Sequence, residues 1–239
     1  METWAKTLGY FKYLIHNCNM DCIIVCSGKE RTGKTTLGWQ SCKLIDDDFT
    51  ADNVAFTIQE AKKLLQVSDK QSAIMIDEAQ WMLYGRDALS SSSKWLNKTL
   101  MKIGQLNYFI WLNIPDYFSL DPYVRKFRVT CLLRTKWKVK PKYIDLAGVR
   151  TKVFETERGK FEVYGQHKLK DIYKVKDTSE EHWTYPTYID YFSAVDPNDS
   201  EYKRYLQRAE EFKRVTQEDV DGKQDKRKDN ILAFRGDSI

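Results

Sequence analysis

Gly28-Lys-Glu-Arg-Thr-Gly33-Lys34-Thr35 fills the pattern G-x-x-x-x-G-K-[ST] in full, between an apolar run and a segment of helical character. That context is what phosphate chemistry needs. Glycines let successive backbone N–H groups wrap an oligophosphate, the lysine brings a point charge to its β- and γ-oxygens, and the hydroxyl after it suits a Mg²⁺ ligand. Residues 28–36, that is Gly28, Lys29, Glu30, Arg31, Thr32, Gly33, Lys34, Thr35 and Thr36, are therefore the candidate nucleotide-binding loop. A second element must hold the metal from the other side. Ala73-Ile-Met-Ile-Asp77-Glu78 has that form, with four apolar residues and then two acids. Asp77 fits the outer partner of Mg²⁺ beside Thr35, and Glu78 fits the base that takes a proton from an attacking water.

Asn113 closes the apolar run Tyr-Phe-Ile-Trp-Leu and precedes Ile114-Pro115. Its amide reads equally as a sensor aimed at the terminal phosphate and as turn chemistry. From Arg125 to Lys142 the chain carries eight bases and no acid. Within it Arg134, Lys136, Lys138, Lys140 and Lys142 alternate with other residues, so an extended chain presents all five on one face over about 26 Å, with Trp137 and Val139 opposite. Such a stripe suits a run of nucleic-acid phosphates, and it equally suits a sheet edge guarded against aggregation.

These residues need elements to position them. Trp4, Leu8, Phe11 and Ile15 recur at helical spacing, predicting an amphipathic helix over 3–16 that packs its aromatic face or lies on a membrane surface. Asp21 to Cys26 reads as a buried strand, followed by the loop and a helix ending near Asp46. Strand Val54–Thr57 leads into a helix announced by the capping pair Thr57 and Glu60. Strands at Ala73–Ile76, Tyr108–Asn113 and Arg128–Leu133 complete an alternation with helices. Strands apolar throughout and separated by helices imply a parallel sheet covered on both faces. From about 136 the pattern changes to a hairpin, Val153–Val163 turning at Arg158-Gly159, and a charged helix, Glu201–Val215. The expected organisation is an N-terminal helix over 1–20, an α/β core over 21–135, an extension over 136–215 and a charged, flexible tail over 216–239.

Composition sets bounds on function. The 239 residues are 42% hydrophobic and 31% charged with 11 Gly and 5 Pro, which excludes collagen-like and mostly disordered chains. No apolar run approaches the roughly 18 residues of a membrane span, and no secretory signal is visible, so a cytoplasmic protein without an integral membrane segment is expected. The five cysteines read as buried free thiols in a reducing compartment, since Cys22 and Cys26 on one strand lie too far apart for a single metal. The net charge of +5 argues only weakly for a polyanionic partner.

The loop, the Asp-Glu ending and the run Gly85-Arg86 to Asn97 resemble the FtsK/HerA class of P-loop ATPases, particularly the zonula-occludens-toxin-like and viral genome-packaging branch, over roughly residues 20–135. The resemblance implies a RecA-like α/β fold with a five-stranded, mainly parallel sheet ordered 5-1-4-3-2, here with a C-terminal hairpin and helix added. It implies a viral or plasmid-encoded motor that binds ATP and Mg²⁺, assembles as a ring, usually a hexamer, and moves or packages DNA with capsid or other morphogenesis proteins as partners. Carried over, Lys34 and Glu78 are catalytic, Thr35 and Asp77 hold the metal, and Asn113 stands where the class commonly has a longer amide. The class also places an arginine finger ahead of the fourth strand. Met101 to Gln105 contains none, so Lys102, Arg86 or Arg125 would substitute, Arg86 best because it closely follows the metal-binding strand. Two other readings stay open: a thymidine-like small-molecule kinase, from Asp77-Glu-Ala-Gln80, and a nucleotide-dependent scaffold that never translocates.

Overall fold

The structure, a computed structural model, describes residues 2–77, 98–100, 103–146, 149–172 and 184–214. The first compact unit runs Met1–Asp196 and the second Pro197–Ile239.

The first unit is a mixed α/β fold around one mostly parallel sheet. The strands are β1 Cys22–Ser27, β2 Val54–Ala55, β3 Ala73–Ile76, β4 Phe109–Ile114, β5 Val129–Leu146, β6 Val149–Gly165 and β7 Tyr188–Tyr191, in the spatial order β2-β3-β4-β1-β5-β6-β7. The first five pair in parallel, whereas β5–β6 and β6–β7 are antiparallel. Helices α1 Glu2–Asn17, α2 Lys34–Ile45, α3 Ile58–Val67, α4 Pro122–Phe127 and α5 Gln166–Ile172 flank it. β1, β3 and β4 are buried at every position, as continuous apolar runs require when both faces are covered.

Local chemistry sets the element ends. Thr57 accepts from the Glu60 N–H while the Glu60 carboxylate accepts from the Thr57 N–H, a reciprocal cap that starts α3. Asp121 accepts from the N–H groups of Tyr123 and Val124, and Pro122 opens α4. The apolar stripe of α1 packs inward: Trp4, Leu8, Phe11 and Ile15 are all buried, and the Trp4 ring makes edge contacts with Phe11, Trp111 and Phe161 at 6.1 to 6.4 Å between centroids. Its indole N–H donates to Ser41 of α2 and its backbone N–H to Asp190 of β7, so α1 is tied into the fold at both ends of one residue.

Two expectations are corrected. The sheet has seven strands and not five, because β6 joins antiparallel to β5 from Cys131 onward and β7 joins β6, while β5 itself runs past Leu133. Its parallel partner β1 ends at Ser27, opposite Arg134, and from there β5 continues against β6 to the pair Leu146 and Val149. The second correction is at Arg158-Gly159, which is no turn. The pairing passes from Lys136↔Lys160 to Lys138↔Glu157, so Trp137 alone opposes Arg158 and Gly159. This is a bulge within β6, and Gly159 takes φ +113 there. A glycine between extended segments signals a turn or a bulge with equal force, and the pairing partner decides which.

In the second unit a helix spans 200–214. Asp199 starts it by accepting from the N–H of Tyr202, and the Arg204–Glu201 and Arg214–Glu210 pairs lie along it. The tail over 216–239 lies outside the described residues. Among the described residues no helix is long and apolar enough to cross a membrane.

Candidate nucleotide-binding site

β1 delivers the loop and α2 receives it. Gly28 (φ +147) has no room for a side chain, since a Cβ would lie 2.5 Å from the Thr135 hydroxyl of β5. Gly33 (φ +94) immediately precedes α2, a conformation that L side chains resist. The loop is braced from within. Thr32, almost fully buried, donates to the Lys29 carbonyl and shares a 2.7 Å hydrogen bond with Thr135, whose hydroxyl also contacts the Ser27 carbonyl. Thr32 thus serves the loop's shape through its side chain. The Lys34 ammonium reaches back to the carbonyls of Gly28 and Lys29 at 2.8 and 2.9 Å. Glu30 and Arg31 are exposed, and Thr36 lies half-buried in the first turn of α2. No acid stands in that turn, so the positive end of the helix is left to an anion.

The carboxylate comes from β3. Asp77 follows Ile76, is buried, and its N–H donates to the Ala55 carbonyl of β2. The Thr35 hydroxyl lies 3.2 Å from one Asp77 oxygen, and the Asn113 amide donates to the other at 2.9 Å. Trp111, two residues back on β4 and so on the same face, donates its indole N–H to the Asn113 oxygen at 2.8 Å. Asn113 therefore lies inside a strand rather than in a turn, and its amide orients Asp77. Trp111 in turn rests on Gly38 of α2, where a Cβ would stand 2.5 Å from the indole nitrogen. The line Gly38, Trp111, Asn113, Asp77 and Thr35 closes from α2 through β4 and β3 back to α2.

Sequence motifs single out Thr35, Asp77 and Asn113 but not Trp111, Gly38 or Thr135. Trp111 is within reach of such reasoning, since strand alternation puts it on the face of Asn113. Nothing local marks Thr135, which matters because β5 pairs with β1. Glu78, Arg86, Lys102 and the run 85–97 lie outside the described residues.

Thr35 and Asp77 offer a hydroxyl and a carboxylate a few ångströms apart, the hard oxygen donors that suit Mg²⁺ when it also keeps water and phosphate oxygens. Beneath the loop, burial pushes the Cys26 thiol up to about 12 against the opposing charge of Lys34, which leaves it a core group. All five cysteines are free and Cys18 alone is exposed. No group of three His, Cys, Asp or Glu suited to a metal occurs among the described residues.

Beside the loop a cleft of about 520 Å³ is lined by Gly28, Lys29, Thr32, Pro115 to Tyr117 and Arg134 to Trp137. It opens above the carboxyl ends of β1 and β4, where parallel sheets place ligands, and beside the middle of β5. Arg134, Thr135, Lys136 and Trp137 line it together, next to the register shift between Lys136 and Lys138. Acidic residues of β6 interleave with the stripe. In the register, Arg134 pairs with Glu162, Lys138 with Glu157 and Lys140 with Glu155, while Lys136 pairs with Lys160 and Lys142 with Val153. The Lys136 ammonium lies 2.8 Å from the Glu162 carboxylate, which also accepts from the Tyr164 hydroxyl.

No protein-family model matches the chain, and no curated protein does. Among solved structures, the N-terminal domain of zonular occludens toxin from Neisseria meningitidis is similar at a TM-score of 0.40 and 14% identity, over 74% of this chain and 96% of that one.

Proposed function

We propose that this chain is a Mg²⁺-dependent ATPase of the FtsK/HerA class whose turnover moves or packages DNA. The observation that carries the ATPase part is the approach of Thr35 to Asp77, which joins the phosphate loop on β1 to the acid after β3 at one point, with Lys34 in the same loop. The loop and the start of α2 hold the phosphates, and Lys34 turns from the loop carbonyls to the β- and γ-oxygens. Thr35 and Asp77 hold Mg²⁺, which neutralises charge developing on the phosphates. Asn113 fixes the rotamer of Asp77. Glu78 takes the proton of the attacking water. In this reading Arg86 completes the site of a neighbouring copy in a ring in the host cytoplasm, and the bases Arg134 to Lys142 meet DNA phosphates.

One observation favours a second reading, a small-molecule kinase: the cleft against Gly28 and Lys29 has the size of a small acceptor's pocket. The deciding experiment is ATP turnover without additive, with duplex DNA, with single strands and with thymidine, at several protein concentrations. Stimulation by DNA, with specific activity rising as the protein is concentrated, supports the motor. ADP release that depends on thymidine replaces it with the kinase, and a Lys34→Ala variant with unchanged turnover overturns both.

A further inference from the structure

Gly33 immediately precedes α2, and Thr36 and Gln40, four residues apart, share one stripe of the helix. The segment after β7 crosses that stripe. A Cβ on Gly33 would stand 2.6 Å from a ring carbon of Phe192, so the edge of that ring sits on the glycine. The ring is held from β6: the Phe192 N–H donates to the Gly159 carbonyl at 2.8 Å, and Phe161 lies 6.0 Å away between centroids. The next carbonyl, of Ser193, accepts from the Gln40 amide nitrogen at 3.0 Å. Gln40 is left with a buried Oε1 that has no hydrogen-bond donor among the described residues. A buried acceptor without a donor is costly, and its position asks for one.

The direction of a bound triphosphate follows from the loop. Lys34, Thr35 and Asp77 serve the β and γ end, and backbone N–H groups at the start of α2 serve the α and β end. Sugar and base therefore leave on the side of Gly33 and Thr36. An aromatic ring and an unmatched acceptor stand there, and together they are the means by which proteins read a base: stacking, and a hydrogen bond to its edge.

We propose that Phe192 and Gln40 form the base subsite, with Phe192 stacking on a purine and the Gln40 side chain turning out of its buried position beside Ser193 so that Oε1 accepts from the 6-amino group, which selects adenine over hypoxanthine. This rests on the reading of the loop as a triphosphate site. Titration calorimetry on the full chain with Mg-ATP, Mg-ITP and Mg-tripolyphosphate separates the two claims. The wild type is expected to bind ATP about tenfold or more tighter than tripolyphosphate, the scale of one base–aromatic stack. It should prefer ATP to ITP by about fivefold, the scale of one hydrogen bond. Phe192→Ala should bring ATP to the level of tripolyphosphate while tripolyphosphate itself stays within about twofold, and Phe192→Tyr should restore the difference. Gln40→Met should erase the preference for ATP over ITP and leave ITP binding unchanged. The subsite is overturned if Phe192→Ala weakens both ligands equally, if it keeps the wild-type advantage of ATP, or if the wild type or Gln40→Met treats ATP and ITP as the opposite of what is stated. A wild type that binds neither ATP nor tripolyphosphate overturns the triphosphate reading beneath it.

Discussion

The Asn113 amide nitrogen lies 2.9 Å from one oxygen of Asp77, and the indole of Trp111 holds the far side of the same amide at 2.8 Å. Both ends of the Asn113 side chain are thus engaged by protein. Its reach is taken up by the carboxylate, and the orientation of Asp77 is set from β4.

On the proposal that Asp77 holds Mg²⁺, removing that amide separates metal binding from nucleotide binding. Asn113→Ala leaves the Trp111 N–H and one Asp77 oxygen without their partner, at a cost of about 1–3 kcal/mol in stability. The Mg²⁺ concentration for half-maximal ATP turnover should rise about tenfold, the scale seen when the group that orients a metal ligand is removed. ATP binding in EDTA should stay as in the wild type. An unchanged Mg²⁺ dependence, measured by magnesium titration of turnover, would assign Asn113 to packing alone.

Gly38 tests the same line from α2. On propensity alone, Gly38→Ala should stabilise the helix by about 1 kcal/mol. Here the new methyl meets the Trp111 indole at 2.5 Å, so overpacking of about 1–3 kcal/mol wins. The urea midpoint should fall, and the Mg²⁺ requirement should rise as Trp111 is pushed from Asn113. A higher midpoint would mean that the indole yields without cost.

The acids interleaved from β6 change what charge reversal on β5 measures. Lys138→Glu with Lys140→Glu places acid at the register positions of Glu157 and Glu155, and like charges directly opposite are destabilising. Adding Glu155→Lys and Glu157→Lys should restore the thermal midpoint by exchanging the signs. If the bases of β5 follow DNA phosphates, the double reversal should flatten the dependence of log K on log salt by about 0.9 for each phosphate that is no longer neutralised. DNA affinity and salt slope that stay unchanged in the double reversal would send the DNA surface elsewhere.

The thiols report on the core and on alkaline stability. Cys18 alone should react quickly with an aromatic disulfide reagent in the folded protein, and all five cysteines should react after unfolding. Burial pushes Cys22, Cys26 and Cys131 up to about 12 from an ordinary value of 9.0. In the folded state these thiols keep their protons while the unfolded chain releases them above pH 9, so the unfolded state binds fewer protons and stability falls as pH rises from about 9 toward 12. Near pH 10 the loss is about 1 kcal/mol per buried thiol. Denaturant midpoints at pH 7.5 and 10 check this, and equal midpoints would place these cysteines in contact with water.

The residues that can be read from the chain are those whose role is local. Gly28 to Thr35 carries its own geometry, because glycine spacing sets where the backbone can bend. The pair Thr57 and Glu60 caps α3 within four residues. Ala73 to Asp77 shows a strand end wherever it is placed, and the stripe Trp4, Leu8, Phe11 and Ile15 shows its buried face by period. The meeting of Thr35 with Asp77 follows from motif chemistry, but its distance and the orientation of Asp77 through Asn113 and Trp111 depend on β4 lying between β1 and β3. No local pattern encodes that order. Arg158-Gly159 is the plainest case, since the same dipeptide serves a turn or a bulge and only pairing with Lys136 and Lys138 makes it a bulge. Likewise the bases of β5 look unopposed in sequence because Glu155, Glu157 and Glu162 sit on another strand, and register, a property of two segments at once, brings them opposite. Phe192 meets Gly33 across nearly the whole unit for the same reason: the pairing of β7 with β6 and the close approach that only a glycine permits are tertiary facts, decided by packing and not by the propensity of either residue.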